Sequence, residues 1–151
     1  MNQSPELLLV EDNPHDVELT LHVLRKHKLA NHVQVLRDGA EALEFLLGNN
    51  GCKANPKTCP RVILLDLKLP KVTGIEVLGK LKADARTKSI PVVVLTSSRE
   101  ERDLFLCSEL GVNSYIVKPV DFMQFTEAIR QIGLYWLLLN ERPHAFQSEA
   151  V

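Results

Sequence analysis

The sequence predicts an α/β fold in which a doubly wound parallel sheet is covered by helices on both faces. The first observation behind this prediction is a set of five short apolar runs, separated by segments in which apolar residues recur every three or four positions. The second is that three of these runs are continuously apolar, which is typical of strands buried on both faces. The runs predict the strands Leu7–Val10, Val33–Leu36, Val62–Leu65, Val92–Leu95 and Tyr115–Val117.

The segments that follow the runs predict five helices, because each carries an apolar stripe with helical spacing. The stripes are Val17, Leu21 and Leu24; Ala40, Leu43 and Leu47; Ile75, Leu78 and Leu81; Leu104, Cys107 and Leu110; and Phe125, Ile129, Ile132 and Trp136. Since strands and helices alternate along the chain, the strands are expected to be parallel.

Polar residues and glycine mark several helix ends. Asn13 before Pro14 places a capping side chain ahead of a proline at the first helical position. Asp121 and Gln124 have the spacing of a capping box, and Gly111 follows a stripe at a position where a left-handed residue ends a helix. These signals predict where the first helix and the last helix begin and where the fourth helix ends.

The composition is that of one globular domain. The chain has 151 residues, of which 45% are apolar and 25% charged, and its formal net charge is −1. This balance argues against nucleic-acid binding, and no apolar run approaches the length of about 20 residues that a membrane span needs. The first residues lack the pattern of a secretory signal. We expect a single domain over residues 1–151, with a core at about 5–139 and a tail at 140–151.

A polar segment rich in Gly, Asn and Pro, residues 48–60, predicts a surface insertion before the third strand. Cys52 and Cys59 flank this insertion and can form a disulfide on oxidation. The three cysteines of the chain are odd in number and lack metal-ligand spacing, which favours a cytoplasmic protein with free thiols.

Polar residues of particular types follow four of the predicted strands. Glu11 and Asp12 follow the first run, Asp66 the third, Thr96 the fourth and Lys118 the fifth. In an open parallel sheet, sites form beyond the carboxyl ends of the strands. We therefore expect three carboxylates, a hydroxyl and an ammonium group to converge at one edge of the sheet.

Such a cluster needs positive charge. Two carboxylates about 4 Å apart repel by roughly 4 kcal/mol at an effective dielectric constant of 20. Lys118 supplies one positive charge, and the remaining negative charge favours a divalent cation with oxygen ligands, such as Mg²⁺. A carboxylate beside Mg²⁺ and an ammonium group is suited to attack a phosphoryl group and form an aspartyl phosphate. Thr96 is placed to donate a hydrogen bond to a phosphoryl oxygen.

The order of these residues resembles the receiver domain of the two-component response regulator family. The segments that carry the resemblance are Val10-Glu11-Asp12, Leu65-Asp66-Leu67-Lys68-Leu69-Pro70 with Gly74, Leu95-Thr96-Ser97-Ser98, and Tyr115-Ile116-Val117-Lys118-Pro119. The resemblance covers about residues 7–132. It implies a flavodoxin-like (CheY-like) fold of three α/β/α layers, with five parallel strands in the order 2-1-3-4-5.

The resemblance also implies how the site works. Asp66 would accept a phosphoryl group from a phosphohistidine of a sensor histidine kinase. Asp12, Asp66 and the main-chain carbonyl of Lys68 would bind Mg²⁺, with Glu11 acting through a water molecule. Lys118 would bind the phosphoryl oxygens. The protein would then be a phosphoacceptor switch that catalyses the transfer to itself and its own dephosphorylation, and not an enzyme that turns over a metabolite.

Two residues are implied to transmit the switch. The hydroxyl of Thr96 would bind the phosphoryl group and move toward it, while the aromatic ring of Tyr115 would turn inward. Only twelve residues follow Leu139, so we expect no DNA-binding output domain and an output through protein contacts.

A narrower resemblance concerns the insertion, the Leu95–Ser98 segment and the long last helix, which are similar to those of small receivers that partner bacterial phytochrome kinases. The cognate kinase is therefore expected to be of the phytochrome type. In the last helix, Tyr135, Leu137 and Leu138 lie off the stripe that faces the core, so they predict an interface, most simply that of a homodimer. The alternative is that the tail covers them.

Two other functions fit parts of the pattern. A hydrolase with an aspartyl-phosphate intermediate would use the same residue types, but enzymes of the haloacid-dehalogenase type carry a second carboxylate two residues after the nucleophile, where this chain has Lys68. A binding module that works without phosphorylation would share the fold, but it has no need to bring three carboxylates together.

Overall fold

The computed structural model describes residues 6–27, 32–48, 52, 59–97, 108–112 and 114–131. Its strands are β1 (Leu7–Val10), β2 (Val33–Leu36), β3 (Val62–Asp66), β4 (Val92–Thr96) and β5 (Ser114–Val117). Its helices are α1 (Pro14–Lys26), α2 (Gly39–Leu47), α3 (Gly74–Ala83) and α4 (Phe122–Gln131). The fourth stripe predicted from the sequence lies largely outside the described residues, as do Tyr135, Leu137 and Leu138.

The strands form one parallel sheet in the order β2-β1-β3-β4-β5, which confirms the predicted fold class and strand order. The central strand β3 pairs with β1 through Leu65 and Val10, and with β4 through Asp66 and Leu95. Each of these strands points its carboxyl end to the same edge of the sheet because all pairings are parallel.

Alternate residues of the central strands face two separate apolar layers, as a period of two requires. Ile63 and Leu65 pack in the layer that includes residues of α2 and α3, whereas Leu64 packs in the layer that includes residues of α1 and α4. Leu64 and Leu65 are fully buried. The sheet is therefore covered on both faces, in the three layers that the sequence predicts.

The cap of α1 is formed as predicted, since the Asn13 side chain accepts hydrogen bonds from the next helical N–H groups. Gly111 has a φ of +92°, the predicted left-handed conformation. At α4, Asp121 accepts from the N–H of Gln124 (2.8 Å), but the Gln124 amide binds the main chain of Val117. The predicted capping box at α4 is thus only half formed, because the edge strand offers the amide both a donor and an acceptor.

The stripe predicted for α2 is confirmed only in part: Leu43 and Leu47 pack against the core, but the most buried positions lie one residue earlier. The helix buries Gly39, Ala42 and Leu46, whereas Ala40 is exposed. The reason is that α2 begins at Gly39 against the main chain of Val72, where a Cβ would collide with the Val72 carbonyl group. This close approach places Gly39 on the core side of the helix, and Ala42 and Leu46 then lie on the same side.

The insertion is not entirely on the surface, contrary to the prediction. Cys52 exposes 2% of its surface and packs in the core layer near α2, with its N–H donating to the carbonyl of Phe45 (2.9 Å). Cys52 and Cys59 form a disulfide, so the expectation of free thiols is also wrong. The Cα atoms of Cys52 and Cys59 lie 4.6 Å from each other, which the sequence does not reveal.

Within the described ranges, the helices are too short or too polar to cross a lipid bilayer.

Candidate functional site

Five side chains predicted from the sequence lie at the carboxyl edge of the sheet: Glu11, Asp12, Asp66, Thr96 and Lys118. We call this set the rim. The strands extend slightly further than predicted, so that Asp66 and Thr96 are the last residues of β3 and β4 and do not follow them. Since a strand fixes its last residue more firmly than a loop does, both positions are set by the pairing of the sheet.

Lys118 connects the carboxylates of the site. Its Nζ donates to Glu11 Oε1 (2.9 Å), Asp16 Oδ2 (3.0 Å) and Asp66 Oδ2 (3.1 Å). An ammonium group has three donors, and here each has a carboxylate partner. The side chain of Lys118 is 14% exposed, those of Glu11 and Asp66 are 1% and 4% exposed, and these contacts are therefore largely removed from water.

Burial and charge shift the pKa values of two of these groups. Burial is the main reason why the pKa of Glu11 rises to about 7, and the neighbouring Asp66 carboxylate raises it further. Burial by itself lowers the pKa of Lys118, but hydrogen bonds to Glu11 and Asp16 and the charge of Asp66 outweigh burial, so the pKa is raised overall. Lys118 therefore remains a cation, while Glu11 holds a proton more readily than an exposed glutamate does.

The carboxylates also form a candidate metal centre. One oxygen each of Glu11, Asp12 and Asp66 lies within 4.8 Å of the others. Glu11 and Asp66 are buried, whereas Asp12 is exposed. Three oxygen donors around a common point, one of them open to solvent, suit a hard divalent cation such as Mg²⁺ that retains water ligands.

The main chain around Asp66 is held from both sides. The N–H of Lys68 donates to Asp66 Oδ1 (3.1 Å), which fixes the rotamer of the carboxylate. Gly74, the first residue of α3, lies so close that a Cβ there would collide with the Asp66 carbonyl oxygen and approach Leu67 Cα to 2.6 Å. The glycine thus lets α3 begin directly against the end of β3. The predicted metal ligation by the Lys68 carbonyl remains a prediction.

The main chain before and after Lys118 is fixed as well. The N–H of Lys118 donates to the carbonyl oxygen of Thr96 (2.8 Å), which joins the end of β5 to that of β4. The Gln124 amide accepts from the N–H of Val117 (3.0 Å) and donates to its carbonyl (2.9 Å). It also donates to the Pro119 carbonyl (3.2 Å). The base of the lysine side chain is therefore held in place on both sides.

The two predicted switch residues differ in environment. Thr96 is buried at the end of β4, with its main chain paired to Val117. Tyr115 is 44% exposed on the edge strand β5, so its ring has room to move. The predicted interface residues Tyr135, Leu137 and Leu138 lie outside the described part of the chain.

Sequence reasoning missed Asp16, which contacts Lys118 as closely as the predicted residues do. The sequence does contain a signal that places Asp16 near the site. The Asn13 cap and Pro14 place Asp16 in the first turn of α1, next to the end of β1, and an acidic residue in a first turn is usually attributed to the helix dipole alone.

Comparison with known proteins gives a consistent family. A family model described as the response regulator receiver domain matches residues 7–130. The probable methanogenesis regulatory protein FilR2 of Methanothrix harundinacea is 39% identical over 91% of this chain and 86% of its own. Response regulator Rcp1 of Synechocystis sp. is 38% identical over 90% of this chain and 91% of its own.

Solved structures of response regulators are similar to this chain in both sequence and fold. The bacteriophytochrome response regulator AtBRR is 54% identical, with a TM-score of 0.78 over 93% of this chain and 100% of that chain. The phosphorylated cyanobacterial phytochrome response regulator RcpA is 40% identical, with a TM-score of 0.71 over 89% and 94% of the two chains. The Mn²⁺-bound form of Rcp1 is 36% identical, with a TM-score of 0.68 over 88% and 95%.

Proposed function

The chain belongs to the response regulator receiver family of two-component systems, and we propose that it is a switch in which Asp66 accepts a phosphoryl group from a sensor histidine kinase. The observation that carries the proposal is the buried contact of Lys118 with Asp66 and Glu11 (3.1 and 2.9 Å). A carboxylate that is buried, oriented and paired with a cation is suited to attack phosphorus.

The residues present fit a divalent cation. Oxygens of Glu11, Asp12 and Asp66 lie within 4.8 Å of one another. Asp12, Asp66 and the Lys68 carbonyl would hold Mg²⁺, with Glu11 acting through a water molecule. The Mn²⁺-bound Rcp1, 36% identical, supports a divalent ion in this family. When bound, the ion supplies positive charge that neutralises the carboxylates and the incoming phosphoryl group.

The transfer step uses side chains of this chain. An oxygen of Asp66 forms a bond to phosphorus while the bond from phosphorus to the imidazole nitrogen of the kinase breaks. The imidazole keeps the electron pair and takes up a proton. Lys118, whose Nζ lies 3.1 Å from Asp66 Oδ2, is the proposed donor to one phosphoryl oxygen, and Thr96 at the neighbouring strand end is the proposed donor to a second one.

The partner is proposed to be a kinase of the phytochrome type. Support comes from the likeness to AtBRR, at 54% identity, and to the phosphorylated phytochrome response regulator RcpA, at 40% identity. The switch would act in the cytoplasm, where ATP supplies the phosphoryl group of the kinase. Its output would be a protein contact, with the homodimer predicted from Tyr135, Leu137 and Leu138 as one form of it.

Phosphotransfer from a radiolabelled phytochrome histidine kinase tests the proposal. The label is expected to move from the kinase to the wild-type protein and not to Asp66→Asn. The matched control is Asp84→Asn, which removes a carboxylate at the end of α3, away from the rim, and should accept label like the wild type. Transfer to Asp66→Asn at the wild-type rate would contradict the proposal.

A second assay, in which small phosphate esters replace the kinase, separates a switch from an enzyme. A switch needs a new activated donor, such as a phosphohistidine or acetyl phosphate, for each cycle, and should release little phosphate from such esters. Release of phosphate from small phosphate esters far above the amount of protein would favour the hydrolase alternative. Preference for the phytochrome partner is measured by transfer rates from a phytochrome kinase and from a histidine kinase without such a sensor module.

A further inference from the structure

Three carboxylates in the described part of the chain accept hydrogen bonds from the Lys118 ammonium group, and of these Asp16 belongs neither to the candidate metal ligands nor to the phosphoacceptor position. It lies in the first turn of α1, and its Oδ2 accepts from Lys118 Nζ at 3.0 Å. Its side chain is 26% exposed, more than the 1% of Glu11 and the 4% of Asp66. The contact thus links helix α1 to the rim.

The local geometry frees the Asp16 carboxylate for this contact. In a capping box, an acidic residue at this position of the first turn binds the N–H of the capping residue. Here the N–H of Asn13 donates to Glu11 Oε2 (3.3 Å), and Asn13 Oδ1 accepts from the N–H of Asp16 (3.2 Å). The main chain of Asp16 is therefore fixed by the cap, while its carboxylate is directed to Lys118.

From this arrangement we propose that Asp16 is a positioning residue, which holds the Lys118 ammonium group over Asp66 during phosphoryl transfer. A lysine side chain has four rotatable carbon–carbon bonds, so it needs a second fixed partner to keep its donor in one place. Glu11 and Asp66 change their interactions when a cation and a phosphoryl group arrive. Asp16 does not belong to that set, so it keeps its hydrogen bond to Lys118 throughout.

This inference rests on the proposed function, and it predicts different effects for two substitutions. Asp16→Ala removes the acceptor, and we expect the rate constant for phosphorylation by acetyl phosphate in excess Mg²⁺ to fall about tenfold, since catalytic groups lose rate when they are misplaced. Asp16→Asn keeps a carbonyl oxygen at the same position, and its rate constant should stay within about threefold of the wild type.

Glu18→Ala is the matched control, because it removes an exposed carboxylate from the same helix. Its rate constant should equal that of the wild type. Urea unfolding of each variant shows whether the protein is folded. If Asp16 had only a structural role, Asp16→Ala would lower the unfolding midpoint, but Asp16→Ala and Asp16→Asn would not differ in their phosphorylation rate constants.

The outcomes separate this inference from the proposed function. If the wild type takes up no phosphoryl group on Asp66, the proposed function fails. If the wild type is phosphorylated but Asp16→Ala reacts as fast as it does, the positioning role is overturned and the function stands. Equal losses in Asp16→Ala and Asp16→Asn would also overturn it, because charge and not a hydrogen bond would then be what matters.

Discussion

The interior of the sheet and two carboxylates of the rim, Glu11 and Asp66, are about equally buried, but different interactions stabilise them. Leu8, Leu64 and Val94 are 0% exposed, and so is Glu11, while Asp66 is 3% exposed. A buried leucine gains about 1.5–3 kcal/mol from leaving water. A buried carboxylate costs several kcal/mol unless it is paired, and the pairing here comes from Lys118.

The same degree of burial therefore has two different causes within one strand. Residues Val62–Leu65 of β3 are buried because they are apolar, whereas Asp66 is buried because a cation lies beside it. Substitutions in the interior should therefore change stability and leave the chemistry of the folded protein intact. Substitutions in the rim should change the chemistry first, and loss of Lys118 should also change stability, because Glu11 and Asp66 would then be buried without a cation.

The largest effect is expected for Lys118→Met, which removes the ammonium group and keeps most of the apolar length of the side chain. The rate constant for phosphorylation by acetyl phosphate should fall at least about a hundredfold, as for the loss of one donor to a developing charge. Intact-mass measurements over time give the rate. Lys80→Met, an exposed lysine on α3, is the control and should react like the wild type. A rate for Lys118→Met near the wild-type value would remove the distinction between rim and interior.

Leu64→Ala tests the interior. The side chain is fully buried between the sheet and the layer of α1 and α4, so its truncation should lower the free energy of unfolding by about 2–5 kcal/mol. Urea denaturation measures this loss. The rate of phosphorylation per folded molecule should remain within about twofold of the wild type, because no rim contact is removed. If folded Leu64→Ala lost as much phosphorylation rate as Lys118→Met does, the prediction would be contradicted.

Gly74→Ala tests the boundary between the two regions. A Cβ at Gly74 would collide with the Asp66 carbonyl, so α3 and the end of β3 must separate. We expect a loss of stability of about 1–3 kcal/mol together with slower phosphorylation. Gly79→Ala is the matched control in the same helix, where a Cβ meets no atom within 4 Å. It should be neutral or stabilising by up to about 1 kcal/mol, because alanine is the better helix former.

The smallest effect concerns pH. The pKa of Glu11 is raised from 4.5 to about 7. Between pH 4.5 and pH 7, the folded protein without metal therefore keeps a proton on Glu11 that the unfolded chain has already released. Its free energy of unfolding should therefore decrease as pH rises from about 4.5 to 7. Mg²⁺ competes with this proton, so the metal should raise the melting temperature by about 2–4 °C more at pH 8 than at pH 6.

Thermal melts with Mg²⁺ and with a chelator at the two pH values measure this difference. The variant Glu11→Gln carries no titratable group at this position. The rise in its melting temperature on addition of Mg²⁺ should therefore be the same at both pH values. If Mg²⁺ raised the melting temperature of the wild type more at pH 6 than at pH 8, the prediction would be contradicted.

Most of the fold was predictable from the sequence because the central strands are apolar without interruption. A run such as Val92–Leu95 indicates burial on both faces directly, and residues at the ends of such runs then share one edge by parallel pairing. The convergence of Glu11, Asp66 and Lys118 follows from this topology alone. The one-residue extension of β3 to Asp66 was not predictable, because an aspartate does not signal a strand.

The features that the sequence did not reveal depend on contacts between distant segments. The stripe of α2 is displaced by one residue because Gly39 packs on Val72, a contact that helical periodicity does not contain. Asp16 reaches Lys118 across 102 positions of sequence. The pairing of Cys52 with Cys59 depends on how close the two residues come in the fold, which the composition of the insertion leaves open.

We propose that the rim makes Asp66 the single phosphoacceptor in a metal-dependent reaction. Incubation of the protein with acetyl phosphate, with Mg²⁺ or with a chelator, followed by borohydride reduction and mass-spectrometric mapping of the peptides, tests this proposal. We predict one phosphoryl group per chain, located at Asp66, which forms with Mg²⁺ and is absent with the chelator. A phosphoryl group at another residue, or the same labelling of Asp66 without a divalent cation, would contradict the account.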